Sequence, residues 1–150
     1  MKIYLSLPIT GRKPEEILRV IKFWKESLEE MGYEVFSPFF DAGLRTDEPI
    51  YSHGYTGVIT DQAIFRRDRW YVENCDIFLM DMSGFERASV GCIMELAWAN
   101  LLNKHTIMLR DQYSVVYNHT FIKQASDVTF YFGAEQELLN YLRNLVKKGM

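Results

Sequence analysis

The sequence lacks any concentrated block of positive charge. Its 17 lysines and arginines are outnumbered by 20 aspartates and glutamates, and the formal net charge is −3 at pH 7. Because proteins that bind nucleic-acid backbones carry a basic patch or stripe, we expect no nucleic-acid partner. No apolar run approaches the roughly 20 residues that span a bilayer, so we expect no membrane partner either.

Cysteine and histidine are also scarce. The two cysteines, Cys75 and Cys92, lie in or beside apolar segments, which favours free thiols in a reducing compartment over a disulfide framework. The three histidines lack the spacing of metal ligands, so we expect neither a metal nor another cofactor. The first eight residues are interrupted too soon for a signal peptide, and we expect a cytoplasmic protein.

What is present is a regular alternation of apolar runs and helical patterns in a chain of 150 residues, 48% of them hydrophobic and 25% charged. The apolar runs predict five strands, at 2–7, 33–37, 76–81, 105–110 and 127–132. Helical patterns fall between them, at 14–32, at 58–74, from the loop at 89 to 103, near 120–125 and after 133. This alternation predicts one domain, 1–150, with an α/β fold: a five-stranded, doubly wound parallel sheet of the flavodoxin-like or Rossmann-like kind.

In such sheets, ligands bind beyond the carboxyl ends of the strands. Three predicted loops would gather at that edge: the turn at 8–13, the long segment at 38–57 and the loop at 82–88. In the turn, Gly11 permits unusual backbone angles, and Thr10 and Arg12 could hold an anion. The long segment is rich in aromatic residues, which could stack on a planar ring, cover the core or form an oligomer contact.

The segment Ser89–Ala99 turns from this edge into an apolar helix that carries one carboxylate, Glu95. An unpaired buried charge is costly, although the partial positive charge of a helix N-terminus favours an anion in the first turns. Gly91 lies one helical turn earlier on the same face, so a small molecule could approach the carboxylate closely. We therefore expect Glu95 to be a nucleophile or a direct substrate ligand; the alternative is a solvated helix glutamate.

Several of these residues together resemble the nucleoside 2-deoxyribosyltransferase family, whose superfamily includes nucleoside 5′-monophosphate N-glycosidases. The resemblance is carried by Ile3-Tyr4-Leu5, Asp68, Asp76 and the run Ser89–Ala97, and it extends from about residue 2 to 128. It implies that Glu95 attacks the anomeric carbon of the sugar and that Tyr4 orients this carboxylate. It also implies that Asp68 lies near the base and takes part in proton transfer to the leaving nucleobase.

The resemblance also implies a set of substrate-binding positions. The position of Ser89 is typically an aspartate that binds the sugar hydroxyl in the transferases, and a serine that contacts phosphate in the 5′-monophosphate hydrolases. We expect further substrate contacts from residues near the same sheet edge: Ser6, Pro8, Thr10, Gly11, Asp81 and Gly91. Asn118, followed by His119, lies where the family contributes a residue to the neighbouring subunit's site, so we expect a homo-oligomer, at least a dimer.

Three functions stay open on these residues. The first is transfer of a 2-deoxyribosyl group from a nucleoside to another free nucleobase. The second is hydrolysis of the N-glycosidic bond of a nucleoside 5′-monophosphate, which Ser89 and either Thr10 or Arg12 would favour. The third is a non-catalytic nucleotide-binding module on the same fold.

Overall fold

Five strands form one all-parallel sheet in the computed structural model, which describes residues 1–38 and 60–147. They are β1 (Lys2–Ser6), β2 (Glu34–Phe36), β3 (Ile77–Asp81), β4 (His105–Arg110) and β5 (Val128–Tyr131). Their spatial order is β2-β1-β3-β4-β5, and every neighbouring pair is parallel. The order reverses between β1 and β3, and this switch point is where a ligand crevice is expected in a doubly wound sheet.

Helices cover both faces of the sheet. They are α1 (Pro14–Glu29), α2 (Asp61–Asn74), α3 (Val90–Leu101), α4 (Thr120–Gln124) and α5 (Glu135–Lys147). Side chains of α1 and α5 pack into one buried cluster with one face of the sheet, and side chains of α2, α3 and α4 pack into a second cluster on the other face. The predicted α/β fold with a five-stranded, doubly wound parallel sheet is confirmed.

The two-residue period of β1 decides which of its side chains reach α3. Ile3 and Leu5 point into the cluster with α1 and α5, whereas Tyr4 points into the cluster with α2 and α3. Ser6 has the same parity as Tyr4 and is likewise fully buried. The sheet therefore presents two hydroxyl groups, one above the other, towards the helix that carries Glu95.

The element boundaries differ from the sequence prediction by a few residues. Helix α1 ends at Glu29, and Gly32 (φ +87°) lets the chain turn into β2. Helix α2 begins at Asp61, where the Thr60 side chain accepts a hydrogen bond from the backbone N–H of Ala63 at 3.1 Å. The predicted helix start at 58 and the aromatic segment lie outside the described residues, except for Pro38.

Three further observations concern the described residues. Both cysteines are free and buried, as expected. In the ranges 1–38 and 60–147, no helix is long and apolar enough to cross a membrane. Over the same part of the chain, no group of three or more His, Cys, Asp and Glu side chains is arranged to hold a metal ion.

Candidate active site

A cleft of about 550 Å³ opens at the switch point, between the turn after β1, the N-terminal half of α2 and the start of α3. Glu95, in the second turn of α3, lines its base, and this side chain is only 8% exposed. The cleft lies where the sequence predicts it, beyond the carboxyl ends of β1 and β3.

Both carboxylate oxygens of Glu95 accept hydrogen bonds from the sheet. The Tyr4 hydroxyl donates to Oε1 at 2.9 Å, and the Ser6 hydroxyl donates to Oε2 at 2.5 Å. Both donors are fully buried. The carboxylate is therefore anchored at two points, and its remaining lone pairs are available to the cleft.

Burial raises the pKa of Glu95 to about 7. The hydrogen bonds from Ser6 and Tyr4 oppose this rise, whereas the nearby charge of Asp68 adds to it. Burial and the neighbouring Glu95 raise the pKa of Tyr4 well above its usual value, so Tyr4 remains a protonated donor. The carboxylate thus titrates near neutral pH, which is typical of groups that act in catalysis.

Asp68, on α2, lines the same cleft. Nε and Nη2 of Arg67 both lie 2.9 Å from Oδ1 of Asp68. Burial raises the pKa of Asp68, and the charge and hydrogen bond of Arg67 oppose the rise. Two carboxyl groups in one cleft, each with a raised pKa, can divide the roles of nucleophile and proton donor.

Ser89 lies at the cleft immediately before α3, on a loop that a buried tyrosine holds in place. The Tyr117 hydroxyl accepts a hydrogen bond from the backbone N–H of Ser89 at 3.0 Å and donates to the carbonyl of Arg87 at 2.9 Å. Tyr117 is fully buried. The sequence analysis did not predict a role for Tyr117. The one feature of the sequence that points to it is its position next to Asn118.

Gly91 and Thr10, two of the expected substrate contacts, line the cleft. A Cβ atom at Gly91 would meet no atom within 4 Å, so the space at this position would also admit an alanine. Gly11 (φ +82°) lies in the turn after β1, where a Cβ atom would come within 3.0 Å of Nη2 of Arg87. Gly11 therefore permits the close approach of Arg87, a cleft residue that the sequence analysis did not single out.

Arg87 lies between two cavities. It lines the cleft with Glu95 and also an adjacent cavity of about 520 Å³, which Gly11 and Arg12 line as well. Among the described residues, no carboxylate lies within salt-bridge distance of Arg87. This guanidinium is therefore available to a negatively charged ligand.

An aromatic pair forms part of the cleft wall. Phe65 of α2 and Trp98 of α3 meet edge to face with ring centroids 5.2 Å apart. Phe65 remains 45% exposed. Such a wall suits a flat heterocycle.

Besides Gly11, which lines the adjacent cavity, three of the predicted substrate contacts do not line the cleft. Ser6 lies beneath Glu95, and Pro8 uses its carbonyl to accept a hydrogen bond from Arg12. Asp81 is buried on the opposite face of the sheet, where Oδ2 accepts a 2.7 Å hydrogen bond from the Trp24 indole and Oδ1 accepts bonds from Ser83. Asp81 thus has a structural role in the described chain.

Asn118 and His119 also lie away from the cleft, on the exposed loop before α4. The Asn118 amide donates to the carbonyl of Gln112 at 3.0 Å. His119 caps α4, with Nδ1 accepting from the backbone N–H of Phe121 at 3.3 Å. Neither residue completes the cleft of its own chain.

Solved structures of similar fold include the CMP N-glycosidase BcmB of Clostridium botulinum, with a TM-score of 0.62, 20% identity and coverage of 95% of this chain and 97% of that chain. A 2-deoxyribosyltransferase of Bacillus psychrosaccharolyticus matches with a TM-score of 0.65, 19% identity and coverage of 91% and 90%. A conserved protein of Enterococcus faecalis V583 matches with a TM-score of 0.68, 14% identity and coverage of 96% and 98%. At these identities the likeness shows a shared fold.

The sequence itself gives the family. A search among curated proteins finds no match. The family described as nucleoside 2-deoxyribosyltransferase, however, matches residues 3–146, nearly the whole chain. Members of this family transfer or hydrolyse N-glycosyl bonds of nucleosides and nucleotides. The chain therefore belongs to the nucleoside 2-deoxyribosyltransferase family.

Proposed function

We propose that the protein cleaves the N-glycosidic bond of a deoxynucleoside, with Glu95 as the nucleophile, and transfers the sugar to a second nucleobase. The observation that carries this proposal is the anchoring of the Glu95 carboxylate at the base of a cleft by two buried hydroxyl groups. A solvated surface glutamate needs no such anchors.

The reaction takes two steps. In the first, an oxygen of ionised Glu95 bonds to C1′ while the C1′–N bond breaks and its electron pair leaves with the base. The base receives its proton from Asp68 in the state in which the proton of the coupled pair lies on Asp68 and Glu95 is ionised, or from a water that ionised Asp68 positions. In the second step, a nitrogen of another base attacks C1′, releases the Glu95 carboxylate and loses its proton to Asp68. Two substitutions at one carbon give overall retention of configuration.

A base-exchange assay tests this proposal. The protein is incubated with a deoxynucleoside and a different free base, and the nucleosides are separated chromatographically. We expect the exchanged nucleoside from the unmodified protein and from Glu137→Ala, a control on the exposed side of α5, but none from Glu95→Ala. A near-normal rate in Glu95→Ala would show that the nucleophile is misassigned, and binding without any turnover would support a non-catalytic nucleotide-binding module.

Hydrolysis of a nucleoside 5′-monophosphate is the second candidate function, and Arg87 favours it. This guanidinium lines the cleft together with Ser89 and Thr10, and the described part of the chain offers it no carboxylate partner. A 5′-phosphate would match one cation and two hydroxyl groups. Water then replaces the second base in the second step.

Supplying the same nucleoside with and without its 5′-phosphate separates the two candidates. If hydrolysis is the function, the monophosphate yields free base and sugar phosphate, and Arg87→Gln lowers kcat/KM for the monophosphate much more than for the nucleoside. Ser89→Asp should shift preference towards the nucleoside. If the ratio of kcat/KM for the monophosphate to kcat/KM for the nucleoside is unchanged in both variants, neither Arg87 nor Ser89 recognises the phosphate.

A further inference from the structure

The Ser6 hydroxyl has no access to the cleft, yet it makes the shortest hydrogen bond to Glu95. It is fully buried and donates to Oε2 at 2.5 Å, opposite the 2.9 Å bond from Tyr4 to Oε1. A single donor would leave the carboxylate free to turn about its terminal bond. Two donors, one on each oxygen, fix the plane of the carboxylate.

The Cys92 thiol lies near the same carboxylate and lines the cleft. The Ser89 hydroxyl donates to Sγ of Cys92 at 3.1 Å. Burial raises the pKa of the thiol to about 12, so the sulfur keeps its proton. The thiol therefore places no second negative charge beside Glu95.

We infer that Ser6 is a positioning residue, whose buried hydroxyl fixes Oε2 of Glu95 and sets the orientation from which the carboxylate attacks. The catalytic meaning of this inference rests on the proposed function. The hydrogen bond between Ser6 and Glu95 does not depend on that function, because it can be measured in the protein without substrate.

The first test is a titration of the Glu95 carboxyl carbon by ¹³C NMR, with Glu95→Gln used to assign the signal. Removing a hydrogen bond to a charged group should raise the pKa of Glu95 in Ser6→Ala by about one unit or more. Ser6→Cys, which keeps a weak donor on a somewhat larger side chain, should give an intermediate pKa. Ser126→Ala, which removes a hydroxyl that bonds within the α4 region, is the control and should leave this pKa unchanged.

The second test is the pH profile of the base-exchange or hydrolysis reaction. In Ser6→Ala, the acid limb of kcat/KM should move to higher pH together with the NMR pKa, and kcat should fall while KM changes little. A lower melting temperature with an unmoved pKa and an unmoved acid limb would overturn the inference, because Ser6 would then only fill space. If Ser6→Ala does not fold, Ser6→Cys decides by the same readouts.

The two proposals fail in distinguishable ways. If the unmodified protein shows no turnover, the proposed function fails, and the NMR titration still decides the role of Ser6. If turnover is found and the pKa of Glu95 is the same with and without the Ser6 hydroxyl, the inference fails and the proposed function stands.

Discussion

At the scale of single residues, Glu95 carries a cost to stability. Its folded pKa of about 7 exceeds the ordinary value of 4.5, so the folded chain holds this proton more tightly than the unfolded chain does. At low pH, where Glu95 is protonated in both the folded and the unfolded chain, the raised pKa costs no stability. As the pH rises from about 4.5 to about 7, the free energy of unfolding falls, because the unfolded chain releases this proton more readily than the folded chain does. The total loss is about 3 kcal/mol.

Glu95→Gln should avoid this loss. As the pH rises through that window, we expect the unfolding free energy of the variant, relative to that of the unmodified protein, to increase by about 3 kcal/mol. Above the window the difference should level off. Urea unfolding at a series of pH values measures it. Glu137→Gln is the control, because that side chain is exposed. A difference that stays flat or shrinks with rising pH would contradict the burial argument.

Asp68→Asn should change the rate and the pH profile in different ways. The charge of Asp68 raises the pKa of Glu95, so its removal should move the acid limb of kcat/KM to lower pH. Loss of a general acid should at the same time lower the maximal rate by a factor of about 10²–10⁴. Steady-state kinetics across the pH range measures both effects. An acid limb that stays in place would show that the two carboxyl groups do not interact.

The sequence could place some of these residues and not others. Strand parity puts Tyr4 and Ser6 on one face of β1, and it puts Asp81 on the other face of the sheet from Phe78 and Met80. A stricter use of that parity would have separated Asp81 from Glu95. Parity gives the face of the sheet but not how close a side chain lies to a particular helix residue. The position of Ser6 beneath the Glu95 carboxylate was therefore not predictable from the sequence.

At the scale of elements, the loop that presents Ser89 is held by a tyrosine that lies 28 residues further along the chain. The Tyr117 hydroxyl bridges the Arg87 carbonyl and the Ser89 N–H, at 2.9 and 3.0 Å. Tyr117→Phe should leave these backbone groups unpaired, loosen the loop and raise KM more than it lowers kcat, because the anchors of Glu95 are untouched. Steady-state kinetics with thermal unfolding checks this; a fall in kcat at constant KM would contradict it.

The order of elements was predictable because each strand is a short apolar run and each long helix has a period of 3.6. The bridge made by Tyr117 was not predictable, since nothing in local sequence pairs a buried tyrosine with a particular distant loop. The same holds for Arg87, which reaches Gly11 only because the turn after β1 and the loop after β3 meet at the switch point.

At the scale of the whole molecule, we predict at least a dimer. Asn118 and His119 lie on an exposed loop outside their own cleft, and the same region exposes Tyr113, Val115 and Phe121 by 80–90%. A second copy would cover these apolar side chains and receive Asn118 near its own cleft. We expect a dimer or larger species by light scattering, and a folded, less active monomer for the double variant Val115→Glu/Phe121→Glu. A fully active monomer of the unmodified chain would contradict this prediction.

The central claim is a covalent bond between the sugar and Glu95, and trapping that ester tests it most directly. A 2-fluoro-2-deoxy nucleoside is a suitable probe, because fluorine destabilises an oxocarbenium-like transition state and slows breakdown of the ester. Intact-mass measurement should show one added fluorosugar, and digestion after lysine and arginine should place it in the peptide 88–104, on Glu95. Turnover of the probe with no adduct, or an adduct that persists in Glu95→Gln, would contradict the account.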